Sequence, residues 1–320
     1  MFEILKLLKE FERKEFTAGQ AVISPDDTSK TFYVLIDGRV SVVKDDMTII
    51  SLAKPGTILG EITTILDIPR TAKVVAEKNC TCHVVQDLPG LFRDNIDVCM
   101  EITRLSIERL MNMVELQLQL KNQFIDAATQ VGLDVTAIPE IKKYIADWEE
   151  LQRNTSEEFP FSLKNEIVEG REITIDVGDT LFEEGDWVGK CYILKKGKIR
   201  VSRHDNSFSY DISEPGTVLN VGYAIENRAT ILDATARESS AIHEIEEMKD
   251  LFKTDHSAGF EILRQVCQRI VTLNDIFIRM KNKILNIYSE TRPENQRKME
   301  KLFSLMLKNE EELKRKGFGN

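Results

Sequence analysis

Apolar positions along this chain change period twice, and the whole pattern then runs a second time. Phe2, Leu5, Leu8 and Phe11 recur at helical spacing, which predicts a helix over residues 1–15. From Phe16 onward, short β-branched and aromatic runs take over. Ala21–Ile23, Thr31–Ile36, the alternating Arg39–Val43, Thr48–Leu52, Lys73–Ala76 and Thr81–Val85 read as strands. The turn signals between them are Pro25-Asp26-Asp27, Asp37-Gly38, the hairpin tip Lys44-Asp45-Asp46, and Pro55-Gly56. Many short strands with regular turns predict a sandwich or roll. Beyond Leu91 the helical period returns. Ile102, Leu105, Ile107, Leu110, Met113 and Val114 begin an apolar stripe that continues from Leu116 through Phe124, and we expect it to cover the roll. Pro139-Glu140 opens another helix running towards Trp148 and Leu151, and Arg153-Asn154-Thr155-Ser156 reads as a linker.

The repeat is the most informative feature. Val177 to Asp186 parallels Ala18 to Asp27, and Cys191 to Val201 parallels Phe32 to Val42, with Tyr33 and Gly38 returning as Tyr192 and Gly197. Pro215-Gly216-Thr217 matches Pro55-Gly56-Thr57. The helices repeat as well: Leu251-Phe252, Glu261-Ile262, Arg264 and Arg269 echo Leu91-Phe92, Glu101-Ile102, Arg104 and Arg109. The expected organisation is a roll with helices over 1–125, a helical linker over 126–159, a second roll with helices over 160–285, and a C-terminal helical segment over 286–320.

Composition narrows the function classes. The 320 residues suffice for two domains, and 42% apolar with 30% charged residues describes a globular protein. A net charge of −10 argues against general binding to nucleic acid or to a membrane surface. No apolar run is long enough to span a bilayer, and the N-terminus lacks a signal peptide's apolar core. Five scattered cysteines (Cys80, Cys82, Cys99, Cys191, Cys267) fit a reducing compartment, so cytoplasm is the expected location. His83 and His243 take equivalent strand positions and read as pleat residues, and no metal site or cofactor is expected. Neither a nucleophile elbow nor a P-loop, kinase or zinc-protease motif appears, so the chain is not expected to be an enzyme.

Candidate chemistry concentrates in one stretch, Gly60-Glu61-Ile62-Thr63-Thr64-Ile65-Leu66-Asp67-Ile68-Pro69-Arg70-Thr71-Ala72. Gly60 leaves room for close backbone approach at the start of a short helix, where an anion is favoured. Arg70 supplies a fork of donors matched to phosphate. Glu61 would repel a phosphate but suits sugar hydroxyls beside it. Gly60-Glu61 followed by Pro69-Arg70-Thr71-Ala72 resembles the phosphate-binding cassette of cyclic nucleotide-binding domains. That resemblance implies an α+β chain of two tandem, jelly-roll-like β-rolls, each flanked by helices, and cAMP or cGMP as ligand. It also implies Arg70 on the cyclic phosphate, Glu61 on the ribose 2′-hydroxyl and Thr71 on the phosphate or base, with Leu59, Gly60, Ile62 and Ala72 lining the site. The first copy departs from the family pattern at Asp26 and at Thr63, where an alanine is usual.

Laying Gly216–Ala241 on Gly56–Thr81 without gaps puts Asn220 at the Gly60 position, Val221 at Glu61, Thr230 at Arg70 and Ile231 at Thr71. An anion there meets neither a cation nor its carboxylate neighbour, so the second pocket is not expected to bind a cyclic nucleotide. Arg228 stands two positions from the lost arginine as a shifted substitute to be weighed. The expectation is a receptor without its own output domain. It binds one cyclic nucleotide in the first roll and signals through helical faces suited to a protein partner or to a homodimer. The alternative is an interaction scaffold with both pockets idle.

Overall fold

The computed structural model describes residues 3–25, 27–44, 47–86, 88–130, 142–143, 146, 161–163, 170–204, 209–253, 256–290, 300 and 304. Asp26 and, apart from helical positions at 142–143, 146, 300 and 304, the helix expected from Pro139 and the charged segment from Arg292 to Lys316 fall outside them. Two compact units divide the chain. One comprises Met1–Gln86, Glu108–Ser156 and Cys267–Asn320; the other comprises Asp87–Ile107 and Glu157–Val266.

The first unit opens with helix α1 (Glu3–Leu7) and the strands β1 (Arg13–Phe16), β2 (Ala21–Ile23), β3 (Phe32–Asp37), β4 (Val40–Lys44), β5 (Met47–Leu52) and β6 (Ile58–Leu59). Helix α2 (Glu61–Leu66) and strands β7 (Lys73–Ala76) and β8 (Cys80–Val85) complete the roll. Two antiparallel sheets, in orders β1-β8-β3-β6 and β2-β7-β4-β5, enclose a core of Phe16, Val22, Ile23, Tyr33, Leu35, Val40 and Val74. Next along the chain come helix α3 (Leu88–Asp94), assigned to the second unit, and helix α4 (Ile96–Gln130), of which the part from Glu108 belongs to the first. The helix expected over 1–15 is therefore shorter, ending at Leu7. Residues 13–16 instead pair with β8, from Arg13 opposite His83 to Phe16 opposite Cys80, and sheet pairing plus burial of the Phe16 ring outweighs the local helical spacing.

The second unit's roll contains β9 (Phe161–Ser162), β10 (Arg171–Ile175), β11 (Thr180–Phe182), β12 (Cys191–Lys196), β13 (Ile199–Ser202), β14 (Ser209–Ile212), β15 (Thr217–Leu219), helix α5 (Val221–Glu226), β16 (Asp233–Ala236) and β17 (Ser240–Ile245). Helices α6 (Met248–Lys253) and α7 (His256–Glu290) come next along the chain, the part of α7 from Cys267 belonging to the first unit. Its sheet orders, β10-β17-β12-β15-β9 and β11-β16-β13-β14, reproduce the first roll strand for strand, with β9 added at one edge. The α+β reading with two tandem rolls is thus the observed fold. One shared turn shows why its sequence recurs. Gly38 and Gly197 both have left-handed backbones (φ 95 and 104), and a Cβ at either would overlap the strand start at Cys80 or Ser240.

All five cysteines are free and buried. Burial pushes the Cys82 and Cys99 thiols up to about 12, away from reactive thiolate. His83 is buried in β8 with Nδ1 3.3 Å from the Phe11 carbonyl, and burial lowers its pKa despite that bond. Among the described residues no helix is long and apolar enough to cross a membrane, and no cluster of His, Cys, Asp or Glu is arranged to hold a metal.

Candidate functional site

The first roll's cassette begins where β6 ends. Leu59 is buried in β6, and Gly60 takes a left-handed backbone (φ 87) as the cap before the six-residue helix α2. A Cβ at Gly60 would come 2.6 Å from Ile23 Cδ1 and 3.0 Å from Arg70 Nη1, so the glycine admits the guanidinium as well as the turn. Glu61 is 1% exposed and Arg70 8% exposed, while Ile62 and Ala72 are half-buried and Thr71 is exposed. Leu59, Glu61 and Arg70 are thus buried, Gly60 is half-buried against the Arg70 guanidinium, and Thr71 is exposed.

Arg70 has five N–H donors. Its Nη1 donates to the Gly60 carbonyl (2.8 Å) and to Thr63 Oγ1 (2.7 Å). Its Nη2 donates to the carbonyls of Ser29 (2.8 Å) and Thr31 (2.5 Å), in the loop between β2 and β3. Asp27 holds that loop, accepting from the Ser29 amide at 2.8 Å and from its hydroxyl at 3.0 Å, and stands 3.6 Å from Arg70 Nη2. Burial raises the Asp27 pKa, but the Ser29 hydrogen bonds and the Arg70 cation outweigh it and hold the carboxyl below its usual range. The fifth donor, Arg70 Nε–H, is buried and has no protein acceptor.

Glu61 is met by a residue that the sequence reading treated only as part of a repeat. Arg109, on α4, pairs through Nη1 with Glu61 Oε1 and donates through Nη2 to the Ile58 carbonyl at 2.7 Å. The other carboxylate oxygen, Glu61 Oε2, is buried and unpartnered. Cys267 on α7 senses the same pair: burial first, then the Glu61 charge, push its thiol well above the ordinary range. The cassette thus carries one orphan donor on a cation and one orphan acceptor on an anion. Buried polar atoms are normally paired, and each such exception needs a reason. The side chain of Phe124, at the end of the apolar stripe, lies outside the described residues.

The second roll keeps the scaffold and exchanges the chemistry. Asn220 stands at the Gly60 position with a left-handed backbone (φ 67), a conformation that asparagine tolerates better than most residues. Its Nδ2 donates to the carbonyls of Val188 (3.0 Å) and Lys190 (2.8 Å), which occupy the places of Ser29 and Thr31. A short amide thus replaces one arm of the guanidinium. Val221 and Thr230, at the Glu61 and Arg70 positions, are 2% and 1% exposed. Arg228, the shifted candidate, is engaged within its own roll: its Nε lies 2.8 Å from Glu226, and its guanidinium lies 4.4 Å over the Tyr223 ring. The position of Asn220 was visible in the sequence, but its use as a polar brace was not. An asparagine replacing a left-handed glycine is the signal that could have suggested it.

The family model for the cyclic nucleotide-binding domain matches residues 13–87. The cAMP-dependent protein kinase regulatory subunit of Eremothecium gossypii is 33% identical over 75 residues, covering 23% of this chain and 16% of that protein. The acetyltransferase Pat of Mycolicibacterium smegmatis is 38% identical over 85 residues, covering 23% of this chain and 26% of that protein. This chain therefore corresponds to only a small part of each of these relatives. A solved structure, the regulatory subunit of a cAMP-independent protein kinase A from Trypanosoma brucei, aligns over 81% of this chain and 79% of its own at 16% identity. Its TM-score of 0.31 gives that alignment no weight. Sequence matches and local architecture coincide on one stretch, residues 13–87, which match the cyclic nucleotide-binding domain family.

Proposed function

We propose that the protein is a receptor for cAMP or cGMP that takes one ligand per chain in its first roll and passes the bound state to a protein partner through its helices. One observation carries the reading. The buried orphan atoms of the first cassette, Arg70 Nε–H and Glu61 Oε2, are a cationic donor and an anionic acceptor within the chain segment of the family match. A cyclic phosphate suits the first and a ribose hydroxyl the second. Leu59, Gly60 and Ile62 form the floor, and Thr71 and Ala72 the rim. Arg109 supplies the link to α4: a ribose hydroxyl on Glu61 changes the surroundings of the ion pair that joins cassette and helix. For signalling, the ligand must favour one arrangement of that link, typically by about 1–3 kcal/mol. No catalytic role is proposed.

A second reading has its own support. Four of the five Arg70 donors are already satisfied within the roll, and Glu61 is paired and 1% exposed. A cassette closed on itself suits an interaction scaffold that binds no nucleotide. Calorimetric titration of cAMP and cGMP into the wild type and Glu61→Gln separates the two. Heat with one site per chain, weakened about tenfold in the variant by loss of a charge-assisted hydrogen bond, supports the receptor. Absence of heat with either nucleotide at about millimolar affinity supports the scaffold.

A further inference from the structure

Arg70 offers a ligand one edge. The orphan Nε–H and an Nη2 N–H lie parallel on the same side of the planar guanidinium, so an oxygen ligand that takes the Nε–H approaches Nη2 as well. Three protein oxygens already stand about Nη2: the Ser29 carbonyl at 2.8 Å, the Thr31 carbonyl at 2.5 Å and Asp27 Oδ2 at 3.6 Å. The carbonyls belong to the backbone and are neutral. Asp27 is the member of the three that carries a full charge and that substitution can remove. Burial raises its pKa, but the Ser29 hydrogen bonds and Arg70 lower it further, so the carboxylate is ionised at neutral pH.

The second roll shows the same aspartate in another role. Asp186 stands at the Asp27 position and Thr230 at the Arg70 position. Asp186 Oδ2 turns back and accepts from the Glu183 amide at 2.9 Å, within its own turn. Asp27 turns forward instead, accepting from the Ser29 amide and hydroxyl, and comes to rest beside the guanidinium. An anionic ligand on the Nε–Nη2 edge therefore meets a like charge. We propose that Asp27 sets the affinity of the first cassette for anions: its carboxylate is an internal counter-ion on the ligand edge of Arg70, and removing its charge tightens cyclic nucleotide binding. The inference rests on the receptor reading and adds to it an attenuating residue outside the Gly60–Ala72 stretch.

The test is calorimetric titration of cAMP and cGMP into the wild type, Asp27→Asn and Ser29→Ala, with thermal melts to verify folding. Asparagine keeps an oxygen for the Ser29 amide without the charge. Ser29→Ala loosens the same loop and leaves the carboxylate in place. Asp27→Ser takes the place of the asparagine variant should that one not fold. The expected result is binding about threefold to tenfold tighter in Asp27→Asn, somewhat more than an exposed charge pair is worth because the Arg70 side chain is 3% exposed. Ser29→Ala should bind like the wild type. Binding by Asp27→Asn where the wild type shows none also supports the proposal. Equal or weaker binding in Asp27→Asn, or equal tightening in Ser29→Ala, overturns the role of the Asp27 charge and leaves the receptor reading intact. Folded proteins that all fail to bind overturn both.

Discussion

The two rolls solve one structural problem with different residues. Each must hold two loop carbonyls beside the start of a short helix: Ser29 and Thr31 in the first, Val188 and Lys190 in the second. The first uses Arg70, which arrives ten residues after the turn; the second uses Asn220, in the turn itself. The amide is neutral and its donor is used up. The guanidinium performs the same bracing with one nitrogen and keeps a charge and an orphan N–H besides. Glu61 and Val221 differ in the same sense, equally buried but one ionic and one apolar. A buried ion pair stabilises little by itself compared with apolar packing. The second roll has the packing solution, so the first roll's retained charges call for an explanation outside stability, and the proposed ligand would be one.

Arg70→Ala is the harshest way to break this comparison. It removes the proposed phosphate partner together with the brace, and we expect nucleotide binding to weaken by about 2–5 kcal/mol in calorimetry. A lower melting temperature should accompany that loss, because the Ser29 and Thr31 carbonyls lose their donor. Unchanged binding would remove Arg70 from the site. Arg109→Ala comes next. It leaves Glu61 buried without its cation, and the loss in denaturant unfolding should be about 2 kcal/mol, below the fully buried range because Arg109 is 30% exposed. Adding Glu61→Val, the second roll's residue, should recover most of that loss. A double variant no more stable than Arg109→Ala would mean that the ion pair is not what fixes the helix to the cassette.

Asn220→Gly is a milder test, confined to the second roll. Glycine accepts the left-handed backbone, so only the two amide bonds are lost, and about 1–2 kcal/mol of stability should go with them. Nucleotide affinity should not move. The smallest effect concerns His83. Burial holds its folded pKa below the ordinary value, so the unfolded chain binds more protons as pH falls through the ordinary histidine range. Its contribution to stability is present above that range and fades as pH drops through it. His83→Gln should flatten the dependence of melting temperature on pH there, and an unaltered slope would show that His83 is not its source.

Much of the fold was legible because its signals are local and occur twice. The turn glycines Gly38 and Gly197, the alternating strands and the cassette spacing from Gly60 to Arg70 all lie within short windows. Strand β1 was misread because its pairing partner, β8, lies far along the chain. The same difficulty hid most of the site's supporting contacts. Arg109 reaches Glu61 across 48 positions, Arg70 reaches Ser29 across 41, and Asn220 reaches Val188 across 32. Charge and spacing identified the two ends of the cassette, but the groups that already occupy Arg70 emerge only when the roll closes.

The most direct test of the account is a count of bound nucleotide at saturation, by equilibrium dialysis of labelled cAMP and cGMP against the wild type, Arg70→Ala and Asn220→Gly. The account predicts one nucleotide per chain in the wild type and in Asn220→Gly, and none at the same concentrations in Arg70→Ala. Two nucleotides per chain, or one that survives in Arg70→Ala and disappears in Asn220→Gly, would contradict it.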